Sequence, residues 1–358
     1  MPRRTPVRSA TSRLSVLALA ALSGLTLACS PADAARQRKK PAAAAAATTT
    51  VADFGGRADT REFSRLMAER HGFDADELDR MFAGVRHTPE VLRLMSPAGP
   101  GFKRSWHAYR ARFLDPLRLR EGQRFWTEHR AAIERASQTW GVPPEIVVSI
   151  IGVETIYGRI TGDFRVIDSL STLAFDYPRR SEYFREELEQ YLLYTRESGL
   201  DAFALRGSFA GAVGLPQFMP GSIRRFAVDF DGDGRIDLRT SPADAVGSVA
   251  RFLAEHGWVR GEPTHFSVRI ADPLKIEPLI EAGIEPRFTL EQLADYGVST
   301  DDAVPSGMPL ALIDLPNADR PTTYLLGARN FYAITRYNRS SFYAMAVIEL
   351  AKALAAAR

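Results

Sequence analysis

The chain has 358 residues, 45% of them hydrophobic and 25% charged, with 46 Lys and Arg against 43 Asp and Glu and a single cysteine. That length suits one large domain or two to three small ones, and one cysteine excludes a scaffold stapled by disulfides. From Pro41 onward the balance is 38 basic to 42 acidic residues, so the body lacks the basic excess of a nucleic-acid binder and none is expected as a partner.

The chain opens with Arg3, Arg4, Arg8 and Arg13 ahead of an apolar run from Leu14 to Ala28, followed by Ala32, Asp33 and Ala34. This pattern predicts a secretory signal peptide over 1–34 with an A-x-A cleavage site. The run is too short for a membrane span, and nothing later resembles one. Cys29 ends the run where a bacterial lipoprotein carries its lipidated cysteine, so an N-terminal lipid anchor is the second processing route. Residues 35–53, with Arg36, Arg38, Lys39, Lys40 and then PAAAAAATTT, form a low-complexity tether with nothing to pack.

From Thr60 to Met95 apolar residues recur at helical spacing (Phe63, Leu66, Met67, then Leu78, Met81, Phe82, Val85), with Asp74 and Thr88 as caps. The next stretch is rich in aromatics, including Trp106 and Tyr109. Arg124 to Trp140 and Ser181 to Thr195 are predicted as further helices. Between them, VPPEIVVSIIGVETIYG (Val142 to Gly158) predicts a helix opened by Pro143 and Pro144 and stopped by Gly158. Glu145 lies in its first turn, where the dipole favours an anion. Glu154 has no such reason to be there, because Ile150, Ile151, Val153 and Tyr157 surround it on the helix. Desolvation raises a carboxyl pKa and suits a general acid near neutral pH. From this helix alone, a buried Glu satisfied by Arg159 or Arg165 is an equal reading.

Two later segments carry chemistry. GSFAGAVGLPQFMPGS (Gly207 to Ser222) is dense in small residues that let backbone approach a ligand, and Gln217 both donates and accepts hydrogen bonds. Without further context a tight loop against the core explains it as well. Ser208 lacks a nucleophile elbow. DFDGDGRIDLRT (Asp229 to Thr240) fits an EF-hand loop at Asp229, Asp231, Asp233 and Asp237, with Arg235 at the seventh position, where the ligand is a backbone carbonyl. Thr240 stands at position twelve in place of a Glu, and Asp244 is the candidate to reach back. The histidines show no zinc spacing. After Trp258, HFSVRI (His265 to Ile270), PRFTL (Pro286 to Leu290), LALIDL (Leu310 to Leu315) and TTYLL (Thr322 to Leu326) predict short strands, and Ser340 to Ala357 a final packed helix. The fold class is therefore mainly α, as α+β with a small β-containing part.

Taken in order, GVETIYGR, DYPRRSEYF, GSFAGAVGLPQFMPGS, VDFDGDGRIDL, AEHGWVRG and NFYAITRYNRSSFYAMAV resemble the membrane-bound lytic murein transglycosylase B family (glycoside hydrolase family 103), over nearly all of 60–358. The resemblance implies an N-terminal helical region (54–140) and a lysozyme-like catalytic core (141–262) whose EF-hand-like loop (229–240) holds structural calcium. A small β-containing subdomain (263–326) and a C-terminal helical segment (327–358) that returns to the core would follow. It implies an enzyme that cuts peptidoglycan glycan strands between N-acetylmuramic acid and N-acetylglucosamine without water, leaving 1,6-anhydro ends. Glu154 would be the sole catalytic acid and base, and no catalytic cofactor is expected. Ser208 would support it and the substrate acetamide, and Gln217 and Phe218 would line the same subsites. Arg179, Arg180, Tyr183, Tyr337 and Asn338 would be groove residues, and Tyr109 a stacking platform. The expected location is the periplasm, with an outer-membrane anchor through Cys29 as the alternative, and with cell-wall synthesis or division complexes as partners. The competing readings are a hydrolase using Asp163, Asp168 or Asp176 as a second acid, and a non-catalytic peptidoglycan-binding protein.

Overall fold

A computed structural model describes residues 54–358 apart from 98, 100 and 102. The expected signal peptide, Cys29 and the tether lie outside the described residues. Helices α1 (Ala58–His71), α2 (Ala75–Phe82) and α3 (Pro89–Leu94) follow the predicted spacing, and the Asp74 side chain accepts from Glu77 N–H at 3.0 Å to cap α2. Thr88 stands before α3 but makes no side-chain cap, and its N–H donates to Thr172 Oγ1 instead. α4 (Trp106–Ala111), α5 (Pro116–Glu128) and α6 (Arg130–Trp140) complete the N-terminal part. The single helix expected from Arg124 to Trp140 is broken at His129, whose backbone (φ −112°, ψ 23°) leaves the helical region.

The centre is α7 (Pro144–Thr155), in which every residue from Ile146 to Val153 is buried. That follows from its composition: an apolar helix on all sides must be wrapped on all sides. It packs against α5, α6, α11 (Pro242–Glu255) and α15 (Ser341–Ala356), the last capped by Ser340 and buried along Phe342 to Ile348. α8 (Val166–Asp176) and α9 (Ser181–Glu197) pair beside it, with the two-residue strands β1 (Phe164–Arg165) and β2 (Arg206–Gly207) at their edge. α10 (Pro220–Phe226) bridges α9 and α11.

The β-containing part holds β3 (His265–Phe266), β4 (Arg269–Ile270), α12 (Glu277–Glu281), α13 (Leu290–Ala294), β5 (Val298–Ser299), β6 (Ala311–Asn317) and β7 (Arg320–Gly327), before α14 (Arg329–Thr335). One antiparallel sheet has the order β3-β7-β6 and another pairs β4 with β5, so the run expected as one strand from His265 to Ile270 is divided between two sheets. The strand expected at Pro286 to Leu290 reduces to a single bridge between Phe288 and Leu310, because Thr289 and Gln292 form a capping box that starts α13. Period-2 alternation makes β6 the seam between two cores. Ala311, Ile313 and Leu315 join the main core around α7, while Leu312 joins a smaller one with Phe266, Leu279, Leu293 and Leu326.

Candidate active site

The predicted stop at Gly158 comes three residues late. α7 ends at Thr155, and Ile156 (φ 50°), Tyr157 (φ 57°) and Gly158 (φ 87°) are all left-handed. A β-branched residue there costs on the order of 1–2 kcal/mol, so the surroundings must impose it. They do so from both sides. Thr155 Oγ1 donates to Leu215 O at 2.9 Å and accepts from Gly158 N–H at 3.0 Å, while Arg118 Nε donates to Gly152 O at 3.0 Å. The helix end that carries Glu154 is thereby tied to the Gly-rich loop and to α5.

Glu154 is half-buried, at the wall of a cavity of about 290 Å³. Tyr343 Oη, on a residue 2% exposed, donates to Glu154 Oε1 at 2.6 Å. Burial pushes the Glu154 carboxyl up to about 7, and the Tyr343 bond holds it lower than burial alone would. Burial and the Tyr343 bond are the causes that set its pKa, and neither Arg159 nor Arg165 is its partner. Arg159 reaches Glu121 at 3.7 Å and Arg165 reaches Asp168 at 2.6 Å, which removes the reading of Glu154 as a satisfied core residue. Among the described residues lining the cavity, Glu154 is the only carboxylate. The candidate second acids are elsewhere: Asp163 is exposed, Asp168 accepts from Arg86 N–H and Arg165, and Asp176 pairs with Arg57 at 3.0 Å.

Most of the other expected residues converge on the same cavity. Ser208 lines it, and its Oγ accepts from the N–H groups of Ala210 (3.3 Å) and Ala212 (3.0 Å), which leaves the hydroxyl proton to donate inward. Gln217, itself left-handed (φ 49°), donates from Nε2 to Gly214 O and Thr161 O, which leaves Oε1 as an acceptor. Tyr337 lines the cavity with its hydroxyl donating to Pro216 O at 2.6 Å. Arg180 lies over the Tyr183 ring at 4.4 Å, and both face the cavity with Asn338. The phenols of Tyr183, Tyr337 and Tyr343 are all pushed up, by burial first, so they stay protonated as donors.

Three residues stand elsewhere than expected. Phe218 is 2% exposed and lies in the core, packed on Phe252 and Tyr337, so it backs the wall instead of lining it. Arg179 is exposed, one residue before the one that turns inward. Tyr109 sits in an aromatic cluster with Phe113 and Phe342, outside the lining, although burial and then the charge of Glu154 push its phenol up to about 12. Sequence reasoning missed Phe209, Met219, Arg336 and Arg339 in the lining, and Tyr343, which reads as one more core position of α15.

At the acidic loop, carboxylate oxygens of Asp229, Asp231 and Asp244 lie within 4.8 Å of one another. Asp244, 1% exposed, does reach back from α11, and accepts from the N–H groups of Phe230 (2.7 Å) and Asp237 (2.8 Å). Its pKa is raised, chiefly by burial. Asp233 and Asp237 are outside the group, with carboxylates turned to the N–H groups of Arg235 and Arg239. Three carboxylates converging through oxygen suit a hard cation such as calcium.

The model of the Transglycosylase SLT domain family matches residues 55–352. The chain is 40% identical over 316 residues to membrane-bound lytic murein transglycosylase B of Escherichia coli (strain K12), covering 86% of this chain and 85% of that protein. The structure is similar to that of catenated lytic transglycosylase SltB1 from Pseudomonas aeruginosa, at TM-score 0.79 and 43% identity, covering 85% of this chain and 99% of the other. It is also similar to the Escherichia coli lytic transglycosylase Slt35 in complex with calcium, at TM-score 0.77 and 40% identity, covering 87% and 98%.

Proposed function

The chain belongs to the Transglycosylase SLT domain family, and from that premise we propose that it is a lytic transglycosylase that cleaves peptidoglycan glycan strands with Glu154 as acid and then base. The observation that carries the reading is the isolation of Glu154: a single carboxyl, held near pKa 7, in a cavity that no second acid lines among the described residues. Ordinary retaining or inverting hydrolysis needs two carboxyl groups. One suffices when the attacking hydroxyl belongs to the substrate.

Neutral Glu154 protonates the oxygen that links N-acetylmuramic acid to N-acetylglucosamine, and positive charge develops at muramic C1. Ser208, whose hydroxyl proton is free of its own loop, donates to the substrate acetamide, whose carbonyl stabilises that centre. Glu154, now a carboxylate steadied by Tyr343, takes the proton from the C6 hydroxyl of the same sugar as that oxygen attacks C1. The 1,6-anhydro ring closes with no water consumed, and the intramolecular attacker gains from proximity. Gln217, Arg180, Tyr183, Tyr337 and Asn338 position the strand.

The acidic loop is read as a structural calcium site held by Asp229, Asp231 and Asp244, none of which lines the cavity; the similarity to a lytic transglycosylase solved with calcium supports this. The enzyme is placed in the periplasm, and mass spectrometry of the mature N-terminus separates lipidation at Cys29 from cleavage after Ala34. The function is tested by digesting purified peptidoglycan with the protein and with Glu154→Gln and weighing the products. Anhydro ends, one water lighter than reducing ends and absent with the variant, support the reading. Reducing ends would make it a hydrolase, and no products would favour a binding role.

A further inference from the structure

One buried carboxylate lies behind the cavity wall without lining it. Of the three glutamates in REELEQ on α9, Glu186 is exposed and Glu189 half-buried, whereas Glu187 is 6% exposed. Helical spacing sets Tyr183 one turn before Glu187 on the same face, and the Tyr183 phenol hydrogen-bonds to its carboxyl. From the other side, Glu187 Oε2 accepts from Gly221 N–H at 2.8 Å. Gly221 stands in the first turn of α10, two residues after Met219, whose carbonyl accepts from the N–H groups of Ser222 and Ile223. An added Cβ at Gly221 would lie 3.2 Å from both Glu187 oxygens, so a side chain there would crowd the approach of α10 to α9. Burial raises the Glu187 pKa, and the Gly221 N–H, the charge of Arg225 and the Tyr183 phenol oppose it. Arg225 is itself fixed to the same turn, with Nε donating to Gly221 O at 3.1 Å.

A carboxylate withdrawn from water is a cost that an apolar residue of the same size would avoid, so what its donors do is the question. Both donors belong to the cavity wall or adjoin it. Tyr183 lines the cavity and carries the Arg180 guanidinium 4.4 Å over its ring, and the Gly221 N–H belongs to the turn from which Met219 lines the same space. We propose that Glu187 is a positioning residue for strand binding: its carboxylate ties Tyr183, and through it Arg180, to the Met219–Gly221 turn and holds this part of the wall in its binding shape. Glu187 is not among the groups that set the Glu154 pKa, so its effect falls on binding and leaves the proton transfer alone. This inference rests on the reading of the cavity as a peptidoglycan site.

The test follows cleavage of solubilised glycan strands by the protein and by Glu187→Leu, Glu187→Gln and Tyr183→Phe, well below the melting temperature of each. Glu187→Leu should raise KM by about tenfold, the worth of one hydrogen bond to a charged group, with kcat changed by less than about threefold and the pH midpoint unmoved. Glu187→Gln keeps an acceptor for Gly221 N–H and should raise KM by only about threefold. Tyr183→Phe should raise KM by about threefold in the protein and by nothing further in Glu187→Gln, because both substitutions break the same bond. That cycle decides the proposal even if Glu187→Leu does not fold. A lowered melting temperature with KM unchanged would make Glu187 a tie between helices and overturn the proposal, as would effects that multiply in the double variant. Calorimetric binding of an N-acetylglucosamine tetrasaccharide to Glu154→Gln needs no turnover, and adding Glu187→Gln should weaken it by about threefold. If binding weakens in this way while the protein forms no anhydro product, the transglycosylase reading fails and the positioning role stands. If anhydro products form and neither KM nor binding responds, the positioning role fails alone.

Discussion

Glu154 and Asp244 are both carboxylates withdrawn from water, and the protein treats them in opposite ways. Asp244 accepts backbone N–H donors on both oxygens and lies beside two further carboxylates, Asp229 and Asp231. Glu154 is offered one phenol, apolar neighbours on its own helix and the cavity in front. Burial raises both carboxyls, but at Asp244 several amide donors pull against it, whereas at Glu154 desolvation with a single donor leaves the proton close to balance at neutral pH. On the proposed function, the number of donors around each carboxyl is what suits one to structure and the other to proton transfer.

The largest effect that breaks the comparison is removal of the proton itself. Glu154→Gln keeps an acceptor for Tyr343 and should lower kcat by at least about a thousandfold, as measured by release of anhydro products. The same substitution has a stability signature. The folded pKa of about 7 lies above the unfolded value near 4.5, so the folded state holds the proton more tightly across that window. The stability this contributes is present below the unfolded value and is lost as pH rises through 7. Glu154→Gln should therefore become more stable than the parent as pH rises, by about 2–3 kcal/mol above pH 7 and by little at pH 4. Chemical denaturation at the two pH values checks this, and a difference independent of pH would contradict the raised pKa.

The acidic loop should answer to metal instead. Excess calcium should raise the melting temperature over that in chelator by several degrees, as expected when a ligand binds the folded state alone. Asp244→Asn should abolish the shift, while the pH midpoint of cleavage stays with Glu154. Next in size, Tyr343→Phe removes the donor that lowers the Glu154 pKa, so the pH above which the acid form is lost should move up, by roughly one unit, with a rate loss of about tenfold. An unmoved midpoint would show that the Tyr343 bond does not tune the acid.

Much of this contrast is legible in the amino-acid sequence. Apolar spacing placed α1, α9 and α15, and a lone Glu in an apolar helix is a local anomaly that sequence exposes directly. The EF-hand spacing located the acidic loop and, through Thr240 at position twelve, pointed to Asp244. What stayed hidden depends on tertiary context. Phe218 turns to the core against Phe252 and Tyr337, next to the left-handed backbone of Gln217. Tyr343 looks like core on its own helix, and only the packing of α15 against α7 reveals its bond to Glu154. The strand misread at Pro286 to Leu290 lost to the Thr289 cap, and the division of His265 to Ile270 between two sheets has no periodic signal at all.

The smallest predicted effect concerns Tyr157, in the turn that follows α7. Tyr157 points its hydroxyl between α5 and α7, where an added Cβ at Gly122 or Gly152 would lie 2.4 and 2.3 Å from Oη, and the buried oxygen has no hydrogen-bond partner. Tyr343 spends its hydroxyl on Glu154, whereas Tyr157 contributes shape and carries an unmet polar group. Leaving such a group unpaired costs about 1–3 kcal/mol, and deleting it recovers part of that against a small loss of packing. Tyr157→Phe should therefore be neutral or stabilising by up to about 1 kcal/mol, with cleavage unchanged. Gly152→Ala should cost about 1–3 kcal/mol by forcing the ring out of its slot and disturbing the turn after Glu154. A destabilising Tyr157→Phe would mean that the hydroxyl bonds an ordered water between the helices, and the left-handed turn would then owe its hold to hydration as well as to packing.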